Sequence, residues 1–203
     1  MSDMNQEFKG QVVLVTGAAS GIGRAVALLL HERGASVVAE DRNATVQDLA
    51  RPGLVPLVAD ITADGAAAFL HAREAVKVMI PNSAGAIVNI ASYAAYQSFP
   101  TIAAYAASKG ALTQLTRTLA LEVIDHGIRV NAVGSGDVVT NILNEVVDDG
   151  PAFLARHGET TPIKRAAQPE EIAEVVAFLA SSRASYMVGS VVMADGGMSV
   201  TAG

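Results

Sequence analysis

A chain of 203 residues, 51% hydrophobic but only 4% aromatic, has the length of one domain, 1–203, burying roughly 70% of its unfolded surface in a Val/Ala/Leu/Ile core. A net charge of −6 argues against nucleic acid or an anionic membrane as main partner, and the lack of cysteine excludes disulfides, thiolate metal sites and cysteine nucleophiles. The opening MSDMNQEFKG carries no signal-type apolar run, and no stretch approaches the ~20 residues of a spanning helix, so a soluble cytoplasmic protein is expected.

Gln11–Val15 reads as a buried strand, and Thr16–Gly23 (TGAASGIG) follows at once, leading into helical apolar spacing over Arg24–Arg33. Strand, glycine turn and helix in that order make a phosphate cradle. Glycines admit a close backbone approach, and the helix start offers free N–H groups and a positive dipole end. Gly17, Ser20, Gly21, Ile22 and Gly23 are the candidate pyrophosphate residues; the alternative is a glycine turn that merely caps a helix.

Gly34 stops that helix, Ala35–Ala39 reads as a second strand, and Glu40-Asp41-Arg42 ends it. A carboxylate about 20 residues after the glycine loop is where an adenosine ribose is held through its hydroxyls. Asp41 there repels the extra phosphate of NADP, so NAD is expected as cofactor, with adjacent Arg42 softening the preference. The bland alternative makes Glu40 and Asp41 plain strand-end charges. Thr45–Leu49 is a short helix candidate. Leu54–Ala59 reads as a third strand, at a sheet edge because of Pro56, and ends in Asp60-Ile61; Asp60 either touches the adenine or caps the next helix. Ala66–Met79 has helical spacing, and its His71 has no second ligand at metal spacing, so it reads as a surface or packing residue and no metal site is expected.

The stretch from Ala86 to Leu112 carries the chemistry. An apolar strand (Ala86–Ile90) is followed by Ser92, a loop, and a small-residue helix with Tyr105 and Lys109 one turn apart on one face. An ammonium beside a phenol favours the phenolate. The helix continues to Val123, and Ile128–Val133 is a further strand. Residues 141–164, with Asp148-Asp149-Gly150-Pro151, read as an irregular mobile lid (141–165) in which the acidic pair sits in a solvated turn. Gln168-Pro169-Glu170-Glu171 starts a last helix, and Ser190–Ala194 is the final strand before Asp195-Gly196-Gly197. Strands alternating with helices predict an α/β fold: a Rossmann-like doubly wound parallel sheet flanked by helices.

Taken in order, Thr16–Gly23, Asp60-Ile61, Ile87–Ser92, Tyr105-x3-Lys109, Arg129–Val133, Val138–Thr140 and Asp195-Gly196-Gly197 form a set spanning nearly the whole chain. It resembles the short-chain dehydrogenase/reductase family. The resemblance implies an NAD-dependent oxidoreductase interconverting a secondary alcohol and a ketone. Tyr105 would be the acid/base, Lys109 would lower its pKa and bind the nicotinamide ribose, and Ser92 would hold the substrate oxygen. Val138 and Thr140 would lie near the nicotinamide carboxamide, and Asp60 and Ile61 near the adenine. The substrate would be a small alcohol or ketone, and the Ala103–Leu121 helix would pack across the interface of a homotetramer, or of a dimer if its neighbour is shortened.

Two departures from the family pattern stand out. Gly134-Ser135-Gly136 lacks the proline usual before its glycine. More seriously, only 25 residues, Ile61 to Gly85, replace a helix, a fourth strand and a long helix carrying a catalytic asparagine. Asn82-Ser83-Ala84-Gly85 imitates the end of that strand, with Lys77–Ile80 as its body. It abuts the next strand, though, and parallel neighbours need a crossover of about a dozen residues. Phe69–Met79 is better read as the end of the long helix, with Asp64 near the place of the asparagine. The sheet then either keeps a gap or re-closes by pairing Ala86–Ile90 with Val12–Val15. The alternative function is a cofactor-binding, catalytically impaired or internally deleted protein.

Overall fold

The computed structural model describes residues 6–60 and 67–201. In the N-terminal half, β1 (Val12–Thr16), α1 (Gly21–Glu32), β2 (Ser36–Asp41) and β3 (Leu54–Val58) build a parallel three-stranded sheet in the order β1-β2-β3. Apolar and β-branched residues dominate the strands, which suits a pleated sheet. The α1 helix stops at Gly34, whose φ of 93° admits the left-handed turn into β2. Pro56 is tolerated because β3 is the edge strand.

In the C-terminal half, α2 (Ala67–Met79), β4 (Gly85–Ser92), α3 (Ala103–Val123), β5 (Ile128–Ser135), α4 (Gly150–Gly158), α5 (Pro169–Ala180) and β6 (Val191–Ala194) follow. A second parallel sheet runs β4-β5-β6. The register sets Thr16 beside Glu40 in the first sheet, and Ser92 beside Ser135 beside Ala194 in the second. Each sheet therefore ends level at its carboxyl edge, where ligands of open α/β sheets bind.

One core joins the halves. Leu30, Val37 and Leu54 from the first half cluster with Val133, Ile172 and Val176 from the second, across the contact between α1 and α5. The Arg33 guanidinium clamps that contact, donating to both carboxylate oxygens of Glu174 at 2.5 and 2.6 Å; its Nη1 stands at ion-pair distance, 3.6 Å, from Glu7. A smaller cluster (Ala120, Val123, Ile128, Val130) packs α3 on the opposite face of the second sheet. The Arg129 side chain donates to the carbonyls of Leu179, Ala180, Ser181 and Ala184, satisfying the buried carboxyl end of α5.

The architecture is the expected Rossmann-like α/β fold, with informative differences. Among the described residues β1 does not pair with β4, so the sheet keeps a break rather than re-closing. Lys77–Met79 is helical and Ser83 adopts a left-handed turn, as the crossover argument requires. The lid is not irregular throughout: Asp149 accepts from the Ala152 N–H as N-cap of α4, with Pro151 in the first turn, so one of the two acids has a structural partner. His71 is not a bystander either. Its Nε2 lies 3.2 Å from the buried Glu40 carboxylate and its Nδ1 faces the Ala67 carbonyl, tying α2 to β2. No helix among the described residues is long and apolar enough to cross a membrane.

Candidate active site

The glycine loop has the shape of a cradle. Gly17 and Gly21 have φ of 68° and 52°, and a Cβ on Gly23 would collide with the Gly17 carbonyl, so helix and loop approach as only glycine permits. Ser20 is the N-cap of α1, yet its side chain makes no capping bond and the first turn holds no acidic residue. Helix N–H groups and the dipole end are thus left for an anion. Thr140 faces this loop: its Cγ2 lies 3.0 Å from where a Gly21 Cβ would be, and both line a cavity of about 180 Å³ with Arg24 and Val139. Val138 is buried behind it, bridged to Ala167.

Asp41 is held beside the loop. Its Oδ2 accepts from Ala19 N at 3.0 Å and its Oδ1 from Asn43 N at 2.8 Å. Arg42 points elsewhere, 3.8 Å from Glu145 at an exposed pairing that contributes little to stability. Asp60 follows β3 as expected; Ile61 and Asp64 lie outside the described residues.

Ser92 is the last residue of β4 and is 3% exposed, its hydroxyl accepting from Ala94 N at 3.2 Å. Lys109 donates to the Ile90 carbonyl at 2.9 Å, and its Nζ stands 5.6 Å from the centre of the Tyr105 ring. Burial pulls the Lys109 pKa below its ordinary value. One helix turn sets Lys109 beside the Tyr105 ring, and the same ammonium reaches β4 at Ile90, two residues before Ser92. Ser135, the last residue of β5 before the loop, occupies the place of the usual proline, and its hydroxyl donates to the Ala91 carbonyl at 3.4 Å. That bond ties the loop to β4 as no proline would.

Three groups at this site carried no sequence expectation. Tyr93, edge-on to Phe99 at 5.1 Å, has its phenol pushed up to about 12 by burial, then by Asp137, Tyr105 and Asp195. Asp137, in the loop after β5, accepts from His157 Nδ1 of α4 at 2.6 Å. Both acids line a second cavity of about 260 Å³ with Thr161, Arg165, Met193 and Gly196. Tyr93 was signalled only by adjacency to Ser92. A lone histidine 20 positions from its partner gave no local signal at all.

Residues 54–199 match the family described as enoyl-(acyl carrier protein) reductase, and residues 11–64 match short chain dehydrogenase. The cis-4-hydroxycyclohexanecarboxylate dehydrogenase of Sinomonas cyclohexanicum is 32% identical, with 96% of this chain and 98% of that protein covered. The cyclohexanol dehydrogenase of Acinetobacter sp. (strain SE19) is also 32% identical, with 95% and 96% covered. Both alignments span 248 positions, more than this chain contains, so the relatives hold internal residues that it lacks. A protein of Beutenbergia cavernae solved with bound NADP is 30% identical and superposes with a TM-score of 0.85 over 97% of this chain and all of that one.

Proposed function

The chain belongs to the short-chain dehydrogenase/reductase family, NAD(P)-dependent oxidoreductases of CH–OH groups, and from that membership we propose an NAD-dependent interconversion of a secondary alcohol and its ketone. The observation that carries the reading is the anchoring of Lys109 on Ile90 beside the Tyr105 ring, at the strand end that presents Ser92.

The glycine loop and the start of α1 would hold the pyrophosphate, and Asp41, fixed by two backbone N–H groups, the adenosine ribose. A 2′-phosphate would meet that carboxylate while Arg42 is turned to Glu145, which favours NAD over NADP. The bound nicotinamide supplies or accepts the hydride. Ser92 and Tyr105 orient the reacting oxygen, and Tyr105 gives or takes its proton, with the Lys109 ammonium stabilising the phenolate. Thr140 and Val138 position the carboxamide. Residues 141–165 form the substrate lid, and α3, with Leu121 exposed, is the interface of a cytoplasmic homo-oligomer.

Tyr105→Phe is expected to lower turnover about 10²–10⁴-fold while leaving NAD binding, read by thermal shift, near that of the wild type. Full activity in that variant overturns the mechanism. The break between β1 and β4 favours one rival, a protein that binds NAD and turns nothing over. A panel of cyclohexanol, 4-hydroxycyclohexanecarboxylate and gluconate, run with NAD and with NADP, separates the two.

A further inference from the structure

The cavity of about 260 Å³ is lined by Ala194, the end of β6 that lies level with Ser92 across the second sheet, and its charge is one-sided. Asp137 and Asp195 both line it, and Tyr93 lies close enough for its phenol to feel both. Asp195 is fixed by accepting from Gly197 N at 3.0 Å and Ser199 N at 2.7 Å. Among the described residues that line the cavity, Arg165 is the one cation. Its guanidinium is already committed to Glu171, with two bonds of 2.7 Å in a fork that satisfies both carboxylate oxygens. Lys109, the ammonium beside Tyr105, donates to Ile90. No lining cation is therefore left to receive a substrate carboxylate or phosphate.

Asp137 differs from the other acids in what holds it. Its partner, His157, comes from α4 in the segment expected to form the lid, and is stacked on Phe153 with the rings 12° from parallel. The 2.6 Å contact fixes the direction of the carboxylate. We propose that Asp137, oriented by His157, determines specificity by repelling anionic substrates, so that this pocket takes an uncharged alcohol or ketone. A carboxylate brought there loses its hydration and meets a like charge. A neutral ring or polyol meets only hydrogen-bond acceptors. This inference rests on the oxidoreductase reading above and narrows its substrate class.

The test reads binding first and turnover second. Affinities of cyclohexanol and 4-hydroxycyclohexanecarboxylate for the enzyme–NADH complex are measured by calorimetry, for the wild type, Asp137→Asn and His157→Gln. The wild type is expected to favour cyclohexanol, and Asp137→Asn to shrink that preference about tenfold, since a single like-charge contact is removed. His157→Gln keeps the carboxylate and is expected to preserve the preference. Equal binding of the two ligands by the wild type, binding of neither, or an equal loss of preference in both variants overturns the inference. Binding with the expected preference but no turnover upholds it and overturns the catalytic reading instead.

Discussion

The two sheets have similar sequences and different surroundings. In β5, Ile128, Val130, Ala132 and Val133 are all buried, with α3 on one side and α5 on the other. β1 carries a more continuous apolar run, VVLV, the pattern of a strand covered on both faces, whereas Arg129 and Asn131 interrupt β5. Yet Val12 is 79% exposed, and Leu14, Val55 and Leu57 are exposed with it. The first sheet is thus written for two covering layers and receives one. This face and the break beside β1 lie in the half that ends at the segment expected from the sequence to be shortened.

Breaking the comparison at its strongest point means truncating a side chain on each face of β3. Leu54, 1% exposed, lies in the core shared by both halves, and Leu54→Ala should cost about 2–5 kcal/mol by loss of burial plus a cavity. Leu57→Ser, on the bare face, should change stability by about 0.5 kcal/mol or less. Denaturant unfolding of the two variants checks this directly; equal losses would mean that the outer face is packed in solution.

The join between the halves is the next place to press. Glu174→Ala leaves the buried Arg33 guanidinium without its hydrogen-bonded partner, and should cost about 1–3 kcal/mol. Hydrogen exchange on that variant should show faster opening of α1 against α5 with β5 still protected. A uniform change over the chain would show that the halves unfold as one cooperative unit.

The smallest effect belongs to the start of α5. Glu171 is held at about 2, first by the Arg165 side chain and then by the Gln168 N–H. A carboxyl with its folded pKa lowered stabilises at neutral pH, and that contribution fades as pH falls from about 4.5 towards 2. The pair is solvent-exposed, so Glu171→Gln should cost about 1 kcal/mol or less. Acid titration followed by circular dichroism should bring variant and wild type together near pH 2.

Much of this was legible in residue order. The glycine loop, the Tyr-x3-Lys turn and the strand ending at Ser92 are local patterns, because 3.6- and 2-residue periods, positive φ and helix-start chemistry act over a few residues. The same locality exposed the false strand at Lys77–Ile80. The helix Gly150–Gly158 escapes a sequence reading because nine residues in a polar segment leave little apolar periodicity, although Asp149-Gly150-Pro151 marks its start. His71 with Glu40, and Asp137 with His157, join positions far apart in the chain through side chains that no period connects.

By itself, then, the sequence determined the strands and the longer helices, their α/β class, and Ser92, Tyr105, Lys109 and the glycine loop as candidate site residues. The tertiary structure alone decided which strands pair, which face of the first sheet stays bare, and which acid meets His157 of α4. Local patterns fix a residue's conformation, but partners across the sheet or cavity depend on what fills the space between them. Only the packed chain shows that, among the described residues, β1 and β4 end in separate sheets.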